Sequence, residues 1–238
     1  MKTLPKLPSI LPFYFEATTD NNNEGFPKTF PFDLFYDEKL KMYRQNNSEA
    51  LKDVLDNAYL TGSMRSGGMN DVVVGGKRVD DVYNFIYKHY NVKKDIKVLE
   101  IGCGEGQVLK KLAEDGISCV GLEPGPQVMQ ITGDHISIIK DFFPSPQVKD
   151  KFDLILHFGV LEHISDPVNF LLQQQQHLKE DGVIICAFPN CEPDLDAGDI
   201  SMFLHEHYNY FSKVGIINAA MKANLKVEAI EEGPGGGF

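Results

Sequence analysis

The densest run of chemistry-bearing side chains is Leu204-His205-Glu206-His207-Tyr208-Asn209-Tyr210-Phe211-Ser212. Three readings of it are open. In one, the histidines are ordinary loop residues among packed aromatics and Ser212 caps the next helix. In another, His205 and His207 ligate an ion, because H-x-H on an extended segment turns both rings to one side. No third ligand stands nearby in the sequence and no cysteine cluster helps, so no metal site is assigned. In the third, His207 is a general base whose orientation and charge are set by Glu206. Imidazole is the usual group for proton transfer near neutral pH.

A second constellation is Val98-Leu99-Glu100-Ile101-Gly102-Cys103-Gly104-Glu105-Gly106. The apolar run 96–101 reads as a buried strand. Val108, Leu109, Leu112 and Ala113 then recur at helical spacing. Strand, glycine turn and helix let the backbone approach a nucleotide closely. A dinucleotide fingerprint counted from Gly102 needs its third glycine at position 107, which is Gln. Glu100, Gly102, Gly104 and Gly106 spell E-x-G-x-G-x-G instead. The plainer alternative is a tight turn that binds nothing. Ligands of an open parallel sheet sit at the carboxyl ends of its strands. Glu123 ends the second strand, where a carboxylate accepts both ribose hydroxyls of an adenosine. Asp141 and Phe142 follow the third strand; an acid accepts from the adenine amino group and an aromatic covers the ring.

The elements that must position these residues alternate. Strands are expected at 96–101, 118–122, 135–139, 152–157, 182–188 and 225–230. Helices are expected at 106–115, after Pro126, at 167–179 and at 212–223. Strands separated by helices imply a mainly parallel sheet with right-handed crossovers. Residues 173–176 are four glutamines, read as a solvated helix face. Upstream, 1–35 is an arm rich in Pro and aromatics, 37–59 has helical spacing, 61–76 is a Gly-rich segment suited to a lid, and 79–86 leads into the core as a helix. The expected organisation is an extension over 1–90 and a cofactor-binding domain over 91–238.

The chain has 238 residues, enough for one α/β domain and an extension. Its net charge of −11 argues against a phosphate-backbone partner, so no nucleic acid is expected. Cys103, Cys119, Cys186 and Cys191 lack C-x-x-C spacing and read as reduced thiols. No apolar run reaches membrane-spanning length. Prolines at 5, 8 and 12 break any signal-like apolar core, which makes the cytoplasm the expected compartment.

The E-x-G-x-G-x-G form resembles the first motif of the class I methyltransferases. The resemblance implies a Rossmann-like three-layer α/β sandwich, here with an N-terminal mostly helical or irregular extension, and S-adenosyl-L-methionine as cofactor. Residues 152–167, with Val160-Leu161-Glu162-His163 at their centre, resemble the "VLEH" motif of the same enzymes. That implies His157 and Gly159 beside the methionine end of the cofactor and His163 facing the substrate. Phe188-Pro189-Asn190, followed by Glu206-His207-x-x-Tyr210-Phe211-Ser212, is similar to the sugar C-methyltransferases that act on nucleotide-linked keto-sugars. Tyr59-Leu60-Thr61-Gly62-Ser63 is similar to that family's Tyr/Ser segment, and matches it only partly. In that family a base removes a proton beside a ketone, and the enolate attacks the donor methyl. Carried over, His207 is the base, Glu206 and His163 polarise the enolate or relay the proton, and Tyr59 positions the sugar. Two further departures stand out. No cysteine precedes Cys103, so the family's N-terminal zinc module is lost or replaced. The family also continues into a large C-terminal domain, and the expected final antiparallel strand is not clear here, as in a fragment. The expected partner is a small molecule. Rival readings are oxygen methylation and a non-catalytic module that binds cofactor or another chain.

Overall fold

The computed structural model describes residues 10–13, 27–46, 48–61, 74–199, 203–233 and 237. In chain order the elements are β1 (Ile10–Pro12), β2 (Thr29–Pro31), β3 (Leu34–Asp37), β4 (Met42–Gln45), α1 (Glu49–Thr61), α2 (Val74–His89), β5 (Lys97–Ile101), α3 (Gln107–Glu114), β6 (Ser118–Leu122), β7 (Ile136–Ile139), β8 (Phe152–Phe158), α4 (Pro167–Gln176), β9 (Leu178–Ala187), α5 (Glu192–Ala197), β10 (Asn209–Tyr210) and α6 (Lys213–Lys222). Single 3-10 turns occupy Pro126–Gln130 and Leu161–His163.

The central sheet has the order β7-β6-β5-β8-β9, and every pairing in it is parallel. β5 lies at its centre and is buried at four of its five residues, Glu100 among them. One face carries α2 and α3, whose Ile86, Val108, Leu109 and Leu112 pack on Val98, Leu154 and Leu156. The other carries α4 and α6, whose Phe170, Leu171, Ile216 and Ala219 pack on Leu99, Ile101 and Ile155. The result is the expected three-layer α/β sandwich. Helix starts follow local rules. Asp166 accepts from Asn169 N at 3.0 Å with Pro167 in the first turn, and Ser212 accepts from Gly215 N at 2.9 Å.

Four expectations need correction. The helical spacing over 37–59 is helical only from Glu49; Leu34–Asp37 and Met42–Gln45 form an antiparallel hairpin. The four glutamines are not all solvated. Gln174 is fully buried, because it lies one helical repeat after Phe170 on the core face of α4. That helix ends at Gln176, and Leu178 already belongs to β9. Residues 225–228 alternate between partly buried and exposed, but 225–230 form no ladder among the described residues. Leu225 N instead closes the end of α6 on Ala220 O at 2.9 Å. The Gly-rich segment lies outside the described residues over 62–73, and α2 takes up its last residues.

A second sheet, β10-β4-β3, joins the N-terminal hairpin to the chain just before α6. α1 lays Leu51 and Leu55 over Tyr208 in the same region. Part of the N-terminal arm therefore packs on the loop that carries His207. No described helix is long and apolar enough to cross a membrane.

Candidate active site

One cavity of about 1340 Å³ opens at the carboxyl ends of β5, β6 and β8. It is lined by ten of the thirteen residues singled out from the sequence: Tyr59, Gly102, Gly104, Glu123, Asp141, Phe142, Gly159, His163, Glu206 and His207. The other three sit elsewhere. Gly106 is the left-handed turn residue that starts α3, with Ile131 filling the space beside it. Glu100 lines a small recess shared with Gly102 and Gly104. His157 lines neither space. Alternation along β8 turns Leu154, Leu156 and Phe158 to one face of the sheet and His157 to the other, against Phe170 at 5.6 Å.

The cradle half is built from backbone. Gly102 and Gly104 adopt φ of 70° and 54°, conformations open to glycine. A β-carbon at Gly102 would lie 2.6 Å from Val160 Cγ2. Glu123 ties the loop down by accepting from Gly104 N at 3.1 Å and Gly125 N at 2.9 Å. Burial raises its pKa against those two bonds. Its Oε1 also accepts from Gln127 Nε2 at 3.2 Å, and Oε2, with one donor, keeps further acceptor capacity. Burial first, and then the charge of Glu123, pushes Glu100 up to about 8. Glu100 Oε2 is buried with no hydrogen-bond partner among the described residues. Asp141 accepts from Ser145 Oγ at 2.7 Å and Phe142 N at 2.9 Å, and the Ser145 bond leads in holding its carboxyl low.

The other half is a polar wall from three parts of the chain. Tyr59 comes from α1, Glu162 and His163 from the turn after β8, and Glu206 and His207 from the turn before β10. The His163 and His207 rings are 4.9 Å apart. His163 Nδ1 lies 3.1 Å from Glu206 O, and its Nε2 lies 3.9 Å from Glu162 Oε1. Burial, then the neighbouring His207, holds His163 down to about 3, so it is a neutral imidazole. The Tyr59 ring stands edge-on to Phe142 at 6.4 Å and to His163 at 6.3 Å. Its phenol is raised by burial and then by Glu206 and Glu162, and has no hydrogen-bond partner among the described residues.

Sequence reasoning missed what holds this wall. Asn209 Nδ2 donates to Leu161 O at 3.0 Å and to Ile164 O at 2.6 Å. Arg44 Nε donates to Asn209 Oδ1 at 3.0 Å, and Gln45 Nε2 donates to His205 O at 2.8 Å. Nothing local marks these residues; their partners are distant in sequence. The H-x-H metal reading is overturned. Residues 205–206 form a turn, so the two rings diverge. His205 sits among Phe13, Phe30 and Phe32, with Nε2 3.2 Å from Phe30 O.

The parallel sheet, the glycine turn after β5 and the acids at the next two strand ends define the class I methyltransferase fold. Residues 77–230 match the family model described as a methyltransferase domain, and the chain belongs to that family. Its cofactor is S-adenosylmethionine. The cradle fits that molecule: a small recess beside a buried, unpartnered carboxylate oxygen suits an ammonium group, and the acids and Phe142 suit an adenosine. The chain is 32% identical over 154 residues to the tRNA U34 carboxymethyltransferase of Sulfurimonas denitrificans, covering 57% of this chain and 49% of that protein. It is 32% identical over 104 residues to the ubiquinone biosynthesis O-methyltransferase of Pelagibacter ubique, covering 41% and 43%. The chain thus spans about half the length of the curated relatives it matches. Among solved structures, magnesium protoporphyrin IX methyltransferase from Synechocystis PCC 6803 aligns with TM-score 0.55 at 16% identity, over 72% of this chain and 88% of that one. The methyltransferase in the Haloferax volcanii Trm112 complex aligns with TM-score 0.53 at 21% identity, over 62% and 69%.

Proposed function

We propose that the chain methylates a small molecule whose accepting atom must first lose a proton, with His207 as the base. The observation that carries this reading is the paired His163 and His207 rings, walled by Glu162, Glu206 and Tyr59, in the cavity that also contains the glycine cradle. S-adenosylmethionine, when bound, supplies a methyl already activated on sulfur. The protein's task is then alignment and proton removal. A positioned base contributes roughly 10²–10⁴-fold in rate. Alignment of the reacting atoms contributes up to about 7–11 kcal/mol. A cavity near 1340 Å³ exceeds the usual span for one ligand and has room for cofactor and substrate together.

The finer proposal is carbon methylation of a nucleotide-linked keto-sugar. His207 takes the proton beside the ketone, Glu206 and His163 stabilise the enolate oxygen or relay the proton, and Tyr59 positions the sugar. Glu123, Asp141, Phe142, Gly159 and the glycine loop hold the cofactor. Oxygen methylation is the second reading, favoured by the similarity to ubiquinone biosynthesis O-methyltransferases. One experiment separates them: incubation of candidate keto-sugar nucleotides in heavy water with protein and S-adenosylmethionine, read by mass spectrometry. Methyl on carbon, or deuterium beside the ketone that vanishes in His207→Ala, supports the enolate route. Methyl on oxygen with carbon protons retained moves the assignment to oxygen. Binding of S-adenosylhomocysteine with no transfer to any acceptor favours a non-catalytic module.

A further inference from the structure

Glu162, His163 and His207 form the one group of three potential metal ligands among the described residues, and a ligand atom from each lies within 4.8 Å of the others. Two come from the turn after β8 and one from the turn before β10, so only the folded chain assembles them.

The tautomer of His163 gives this grouping its meaning. Its Nδ1 faces the carbonyl of Glu206 at 3.1 Å. A carbonyl only accepts, so Nδ1 carries the hydrogen and donates. Nε2 is left with its lone pair, and it faces Glu162 Oε1 at 3.9 Å. A ring nitrogen oriented by its partner's hydrogen bond to a backbone carbonyl is the usual support for a metal-ligating histidine. Ligand atoms about 2.0–2.2 Å from an ion lie roughly 3–4 Å from one another. Small side-chain rotations therefore close the observed spacing. The cavity is also biased toward cations: Asp56, Asp81, Asp166, Asp194, Glu231 and Glu232 add to the acids already described, against Lys52, Arg78 and Lys88.

We infer that Glu162, His163 and His207 bind a divalent first-row transition ion, with zinc the best match to two imidazoles and one carboxylate. Three protein ligands leave a coordination position facing the cavity. The ion uses the His207 electron pair that the proposed reaction uses for the proton, so ion and turnover compete. That consequence rests on the proposed function; the binding does not.

The test is calorimetric titration of Zn²⁺ into tag-free protein saturated with S-adenosylhomocysteine, followed by the visible spectrum of the Co²⁺-loaded protein. One ion per chain is expected. Glu162→Gln, His163→Ala and His207→Ala should each weaken Zn²⁺ by at least about tenfold while keeping S-adenosylhomocysteine binding, which reports folding. His89→Ala is the control, because His89 with Glu231 is a separate, partly exposed His–Glu pair. Should all three site variants lose the fold, the Co²⁺ bands of the wild-type protein decide: imidazole and carboxylate coordination supports the site, and thiolate bands overturn it. Absence of one-to-one binding, or affinity unchanged in the three variants, also overturns it. Each of those results leaves the heavy-water experiment untouched.

Discussion

The glycine cradle and the histidine wall line one cavity but are held by different means. In the cradle, Gly102, Gly104, Glu123 and Gly125 tie themselves together through backbone donors on two neighbouring strands. In the wall, the securing bonds join residues far apart: Gln45 to His205 across 160 positions and Arg44 to Ser165 across 121. The cradle is a local device that the core fold makes by itself. The wall exists only when the N-terminal hairpin docks on the loop before α6. A shared core can thus carry one cofactor site, while the reacting groups depend on an attached segment.

The comparison can be broken from either side. The largest effect is expected from His207→Ala, which should cut methyl transfer roughly 10²–10⁴-fold in a labelled-methyl assay. Asn209→Ala comes next. It frees two carbonyls, Leu161 O and Ile164 O, and should cost about 1–3 kcal/mol in denaturant unfolding. Its turnover should fall with cofactor affinity retained, since Asn209 touches only the wall.

Glu100→Gln probes the cradle through pH. Glu100 is held up to about 8 in the folded chain, against an ordinary carboxylate value near 4.5. Between those values the folded state keeps a proton that the unfolded state has released, so stability falls as pH rises through the window. Thermal melts of Glu100→Gln should lose that part of the slope, with the largest gain above pH 8. The smallest functional effect is expected at His157. Burial alone holds it down to about 3, so between about 3 and 6.5 the unfolded state binds the extra proton and acid removes stability. His157→Leu should melt higher than wild type, by a margin that widens as pH falls from about 6.5 toward about 3, with S-adenosylhomocysteine affinity unchanged.

What the sequence made legible follows the same division. β6 runs from Ser118 to Leu122 as its apolar pattern predicts, and Ser212 caps α6. The glycine spacing identified the fold, because only a few backbone geometries join a buried strand to a helix. The hairpin at Leu34–Gln45 was hidden because Leu40 and Tyr43 happen to fall at helical spacing; Leu40 is buried in the turn, and Tyr43 pairs across strands with Tyr36 and Tyr210. Glu162 was passed over although it stands beside His163, since its meaning depends on His207 arriving from another turn. The misplacement of His157 was avoidable: strand alternation already sets it opposite Phe158.

The most direct test needs no knowledge of the substrate. S-adenosylhomocysteine is titrated by calorimetry into wild type, Gly102→Val and His207→Ala. A valine at 102 meets Val160 at the glycine loop, whereas His207 belongs to the wall. The account predicts loss of binding in Gly102→Val and an affinity within about twofold of wild type in His207→Ala, where the side chain removed has no part in the cradle. Retained binding in Gly102→Val, or binding abolished in a folded His207→Ala, would contradict the division of the cavity into cradle and wall.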